Sequence, residues 1–175
     1  MAAIVSSVRP SAVQLSGTCA DRPCSSPFGD GEKIPVWMYI EDDGRTPLSD
    51  QMVTLNVALL KKNAPSDRFV IHIFNRSEAG KLVDLPREWP RCGNDGACFS
   101  DLVRTAIMAQ RGGIYIDADV IVNKPLTQIA DDLKQFDIVS YASPGQQCTR
   151  GQFSSNFLAT RSGAVAYKRA FEAIK

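Results

Sequence analysis

The chain has 175 residues, 44% of them hydrophobic, with 20 basic and 19 acidic side chains for a net charge of +1. That length fits one domain with a substantial core, and the even charge balance argues against a polyanionic partner such as nucleic acid. No apolar run approaches the roughly 20 residues that cross a bilayer, so no membrane span is expected in this chain.

The opening MAAIVSSVRPSAVQLSGTCA is rich in serine and lacks acids, a weak transit-peptide signal. A disordered leader over residues 1–30 is the preferred reading, followed by one folded domain over 31–175. IPVWMYI, residues 34–40, is a nearly continuous apolar run, as expected of a strand covered on both faces. After the polar EDDGRTP, Ser49 is a plausible N-cap for a helix whose apolar stripe is Met52, Leu55 and Leu59 and whose end carries Lys61 and Lys62. RFVIHIF, residues 68–74, is a second strand, and strand-helix-strand predicts a parallel crossover. His72 lies within that strand with no nucleophile or ligand pattern beside it and is read as structural.

Residues 81–98 read as irregular. Five cysteines lack the paired spacing of a zinc site, while the turn-rich GNDGA between Cys92 and Cys98 could close a disulfide. Ser100 is expected to cap a helix carrying Leu102, Val103, Ala106 and Ile107 inward, ended by Gly112 and Gly113. IYIDADVIV follows as a strand; PLTQIADDLKQ reads as helix, DIVSYA as strand, SPGQQCTRGQ as a mobile loop, FSSNFLAT as strand and GAVAYKRAFEAIK as a last helix.

The chemistry concentrates in SDLVRTAIMAQRGGIYIDADV. In an extended segment Asp117 and Asp119 project the same way, a hard, oxygen-rich pair suited to Mn²⁺ or Mg²⁺, whose shells are completed by water and phosphate oxygens. Such a cation would also offset the several kcal/mol that burying a carboxylate costs. Asp101 and Arg104, three apart near a helix start, could hold a diphosphate and sugar hydroxyls. Taken singly these features have plainer explanations: an acid favouring the helix dipole, a surface ion pair, an Asp-x-Asp in a turn. It is their combination that points to a nucleotide-sugar site.

That stretch resembles the signature of the sugar-transferase group that includes glycosyltransferase family 32 and the capsular polysaccharide synthesis proteins: Ser-Asp-x-x-Arg, a helix, then Gly-Gly-x-Tyr-x-Asp-x-Asp. IPVWMYIEDDG, LVDLP and SSNFLATRSGAVAYKRAFEAI resemble further segments of the same group, so that the likeness covers about residues 34–174. The resemblance implies an α/β fold of GT-A type, a Rossmann-like mixed sheet flanked by helices. It implies a nucleotide-diphosphate sugar donor, a divalent metal, and transfer with retention to a glycan or other hydroxyl acceptor. By motif, Asp117 and Asp119 would serve the metal and diphosphate as the catalytic pair. Asp101 and Arg104 would serve the donor sugar and its phosphates, and Asn156 would lie near the sugar. Ile40 stands where the group often carries a base-stacking tryptophan, leaving Trp37 or Tyr39 for that role. Relatives usually continue past the last helix, so a shortened, incomplete domain is expected, and a nucleotide-sugar binder without turnover is the alternative function. A haloacid-dehalogenase-like phosphatase, in which Asp117 would be a nucleophile, is a weaker one. The resemblance sets the compartment as Golgi lumen for a eukaryotic chain and cytoplasm for a bacterial one.

Overall fold

The structure, a computed structural model, describes residues 28–29, 31–41, 51–86, 92–93, 95–140 and 154–175. Five strands form one mixed sheet: β1 (Ile34–Tyr39), β2 (Phe69–Phe74), β3 (Gly113–Ile116), β4 (Ile138–Ser140) and β5 (Phe157–Thr160), in the order β2-β1-β3-β5-β4. β1 is parallel to β2 and β3, whereas β5 runs antiparallel to both β3 and β4. The α/β reading with a mixed sheet flanked by helices is therefore met.

Alternation along β1 explains its apolar run. Val36 and Met38 enter one core with Val53 and Leu60 of α1 (Gln51–Asn63) and Ala130 of α4 (Thr127–Asp132). Trp37 and Tyr39 enter a second core, with Ala79 of α2 (Arg76–Leu82), Val103 and Ile107 of α3 (Gly96–Gln110) and Phe171 of α5 (Val165–Ile174). Helices thus cover both faces, and each β1 residue from Val36 to Tyr39 has a core to enter. His72 stacks on Trp37 with ring centroids 4.4 Å apart, and burial holds its imidazole below the usual histidine range, in keeping with a structural role.

Several boundaries differ from the sequence reading. Phe28 is buried in the first core, so the folded region includes a residue assigned to the leader. On α1 the buried face is Val53, Asn56, Leu60 and Asn63, whereas Met52 and Leu55 are 45% and 48% exposed; the helix is turned by about one residue from the apolar stripe expected of it. α2 begins at an Asn75–Glu78 capping box that the sequence reading passed over. α3 begins at Gly96, not beyond Ser100, because the Asp95 carboxylate accepts from the Ala97 and Cys98 amides at 2.9 and 3.3 Å. Cys92 and Cys98 form the disulfide that the loop allowed, with Cα atoms 5.4 Å apart. The Ser49 cap and the loop 143–152 lie outside the described residues.

Between α3 and β3 the two glycines do what was expected. Gly112 and Gly113 have φ of 68° and 104°, and a Cβ on Gly113 would stand 2.3 Å from the Pro35 carbonyl oxygen. The chain therefore turns directly from the helix carrying Arg104 into the strand leading to Asp117.

Candidate active site

β3 ends at Ile116, so the two aspartates do not stand in the middle of a strand. The Asp117 amide donates to the Asn156 carbonyl at 2.8 Å, closing the β3–β5 ladder, and the Val120 amide then donates to the Asp117 carbonyl at 3.0 Å. Ala118 and Asp119 occupy the resulting tight turn. The expectation of two carboxylates at alternate positions of an extended segment is thus corrected: the pair sits on a turn at the carboxyl end of β3. This removes the apparent cost of two charges within an apolar strand, because Asp119 is exposed and only Asp117 is partly buried.

The location is informative. Successive crossovers from β1 and β2 place β2 on one side of β1 and β3 on the other. The crevice at the carboxyl ends of β1 and β3 is a topological switch point, where open α/β sheets bind their ligands.

Arg104 organises the site from α3. Its side chain is 7% exposed, and one terminal nitrogen donates to both oxygens of Asp117 at 3.2 and 3.4 Å. The other terminal nitrogen donates to the carboxylate of Asp101, which is itself 72% exposed. The guanidinium carbon stands 5.3 Å from the centre of the Tyr115 ring, and the Tyr115 hydroxyl is 3.1 Å from the Ser100 hydroxyl. One buried cation thus joins two carboxylates presented by different elements, a planar fork in contact with an aromatic face. Because α3 starts one turn earlier than expected, Asp101 and Arg104 are not at its N-terminus, and the helix end contributes no anion site to this pair.

The Asp117 side chain is 27% exposed. Desolvation raises its carboxyl above the usual aspartate range, opposed by the Arg104 charge and reinforced by Asp119. Tyr115 is raised too, first by burial and then by Asp117. A cation placed at the turn would offset the upward shift of Asp117 by favouring its ionised carboxylate. No cluster of three histidine, cysteine or acidic ligands occurs among the described residues. The donor set is therefore two carboxylates, one of them shared with Arg104, which fits an ion that keeps water and substrate oxygens in its shell. It does not fit a closed structural zinc site.

The structure brings together Asp101, Arg104, Asp117, Asp119 and Asn156, the last through its backbone bond to Asp117 and a side-chain oxygen that accepts from the Ser154 hydroxyl. Tyr39 is not brought to that surface. Its ring is buried beside Phe74 and Phe99, at centroid distances of 5.7 and 5.4 Å, and its hydroxyl donates to Glu41. Trp37 is also buried, its indole N–H donating to the Gly112 carbonyl at 2.9 Å. Neither ring has an open face for a base, so the displaced-aromatic reading is corrected to core packing.

Sequence reasoning missed two residues near the site. Glu41 follows β1 and accepts from Arg76 at 3.2 Å, while Arg76 also donates to the Gly93 carbonyl at 2.8 Å, tying the disulfide loop to the carboxyl end of β1. Asn56 of α1 donates to the Ala118 carbonyl between the two aspartates. A signal for the latter existed: Asn56, Leu60 and Asn63 share one helical face, a polar-apolar-polar stripe that hydropathy alone turns outward.

Residues 37–136, over half of the chain, match the family described as glycosyltransferase sugar-binding region containing DXD motif. No curated protein and no solved structure matches the chain. The matched stretch runs from β1 through Arg104 and both aspartates, and the phosphatase alternative finds no comparable support. With Asp117-Ala118-Asp119 standing as its Asp-x-Asp at the sheet's switch point, the chain belongs to this DXD-containing family of glycosyltransferase sugar-binding regions.

Proposed function

We propose that the chain is a metal-dependent, GT-A type glycosyltransferase, akin to glycosyltransferase family 32 and the capsular polysaccharide synthesis proteins. It moves a sugar from a nucleotide-diphosphate donor to a glycan or other hydroxyl acceptor with retention of anomeric configuration. The observation that carries this reading is the buried Arg104, divided between Asp101 and Asp117 beside the exposed Asp119. Such a fork suits a diphosphate, whose oxygens compete with Asp117 for the same N–H donors.

Asp119 and Asp117 would hold Mn²⁺ or Mg²⁺, which when bound supplies Lewis-acid stabilisation of the departing diphosphate. Arg104 keeps positive charge directed at that leaving group, Asp101 and the Tyr115 face holding the guanidinium while the N–H donors on Asp117 pass to phosphate oxygens. Asp101, largely exposed, accepts hydrogen bonds from sugar hydroxyls, and Asn156, just before β5, borders the sugar. No side chain of the chain is assigned as a covalent nucleophile. The Cys92–Cys98 disulfide favours an oxidising compartment such as a secretory lumen.

The test is calorimetric titration of UDP and GDP sugars with and without Mn²⁺, on the native chain and on an Asp117→Asn, Asp119→Asn double variant, followed by a turnover assay. Metal-dependent binding that the double variant loses, with turnover, is the expected result. Binding without turnover reduces the protein to a nucleotide-sugar binder, and no binding to the native chain sinks the reading.

A further inference from the structure

We infer that Asn56 is a positioning residue that sets the shape of the turn carrying the two aspartates; this rests on the metal-dependent reading of that turn. α1 covers the opposite face of the sheet from α3, so Asn56 meets the turn from the side away from Arg104. Its side chain is fully buried, and its amide nitrogen donates to the carbonyl of Ala118, the residue between the two carboxylates. One peptide unit inside the turn is thus held from behind, while the turn's own closing bond runs from the Val120 amide to the Asp117 carbonyl.

A second asparagine provides an internal control. Asn63 lies two turns along the same face and donates to the Val122 carbonyl at 2.7 Å, while its own carbonyl accepts from the Leu126 amide at 2.8 Å. Asn63 therefore fastens the chain beyond the turn, and Asn56 fastens the turn itself. The two differ in a further respect. The side-chain oxygen of Asn56 is buried and has no hydrogen-bond partner among the described residues, a cost that Asn63 does not carry. Exchanging the oxygen and nitrogen of Asn56 would not relieve it, because an oxygen would then face the Ala118 carbonyl. An amide kept in a buried place where one of its two polar atoms goes unmet is explained by what the other atom does, which is to hold Ala118. Groups that act from behind metal-holding residues typically alter affinity by about ten- to a hundredfold when removed.

The experiment compares native protein with Asn56→Leu, Asn56→Ala and Asn63→Leu, the alanine variant standing in should the leucine variant fail to fold. Three quantities are read: thermal stability, hydrogen exchange of the Val120 amide in metal-free protein, and the Mn²⁺ dissociation constant by calorimetry and electron paramagnetic resonance. In the Asn56 variants Val120 exchanges faster and the Mn²⁺ dissociation constant rises at least about tenfold. In Asn63→Leu stability falls to a similar extent and Mn²⁺ affinity does not change. Equal Mn²⁺ affinity across native and Asn56 variants, or Val120 protection that survives them, overturns the inference while leaving the site assignment intact. A native chain that binds no Mn²⁺ with nucleotide overturns the site assignment, and the positioning role with it, whatever Val120 does.

Discussion

The two faces of the sheet hold the Asp-x-Asp turn by different means. From the α3 face Arg104 grips it through charge, and from the α1 face Asn56 and Asn63 grip it and the segment after it through neutral amides. Ionic grip can be exchanged, because an incoming phosphate competes for the same guanidinium. The neutral grip is buried on the face away from Arg104, out of an anion's reach, and so holds whatever the guanidinium binds. A turn that must accept a charged ligand without losing its shape is served by having one of each.

The comparison is broken most severely at Arg104. Arg104→Met is expected to lower kcat by about 100- to 1,000-fold, as removal of a directed donor does at other charge-stabilising sites, which steady-state kinetics would measure. Because the Arg104 charge lowers the Asp117 pKa, the same variant moves Asp117 still further up, visible as a shifted titration of its carboxyl carbon by NMR. On the α1 side, Leu60→Ala, at a fully buried position between the two asparagines, is expected to cost about 3 kcal/mol in urea unfolding. Leu55→Ala, from the stripe that the sequence places inward, should change stability by less than about 0.5 kcal/mol. Equal losses at the two leucines would restore the original helical phase. The smallest effect is in pH. Asp117 in the folded chain holds its proton to higher pH than in the unfolded chain. Over the window from the ordinary aspartate value up to its raised value, the native state therefore binds more protons. Stability attributable to this group falls as pH rises through that window, and the melting temperature of the native chain should decline there relative to Asp117→Asn; a parallel pair of curves contradicts it.

What could be read from the sequence was set by local chemistry. The Gly112-Gly113 corner and the apolar β1 depend on neighbours within one or two elements, and both are found where expected. What could not be read depends on partners far along the chain. β3 stops at Ile116 because the chain turns there, the Val120 amide bonding to the Asp117 carbonyl, while the Asp117 amide is taken by Asn156, a contact 39 positions away. The phase of α1 differs from the one hydropathy predicts because its buried face contains two asparagines whose acceptors, Ala118 and Val122, lie in the segment between β3 and α4. Hydropathy turns an asparagine to water unless the carbonyl awaiting it is known. Tyr39 was misplaced for a related reason: a ring that looks available beside polar residues is enclosed by Phe74 and Phe99.

The bond between the Asp117 amide and the Asn156 carbonyl has an evolutionary side. The chain between them makes the Asp119 turn, forms α4 and returns to the sheet as β4 on the far side of β5, so this one bond pins together, beside the carboxylates, the two ends of that whole connection. The entropy of closing such a connection grows only with the logarithm of its length, about 0.6 kcal/mol for each doubling. Descendants of this architecture can therefore change the length of chain between the end of β4 and the start of β5 at little entropic cost, while the Asp-x-Asp turn, α4 and β4, which carry site and core residues, stay as they are.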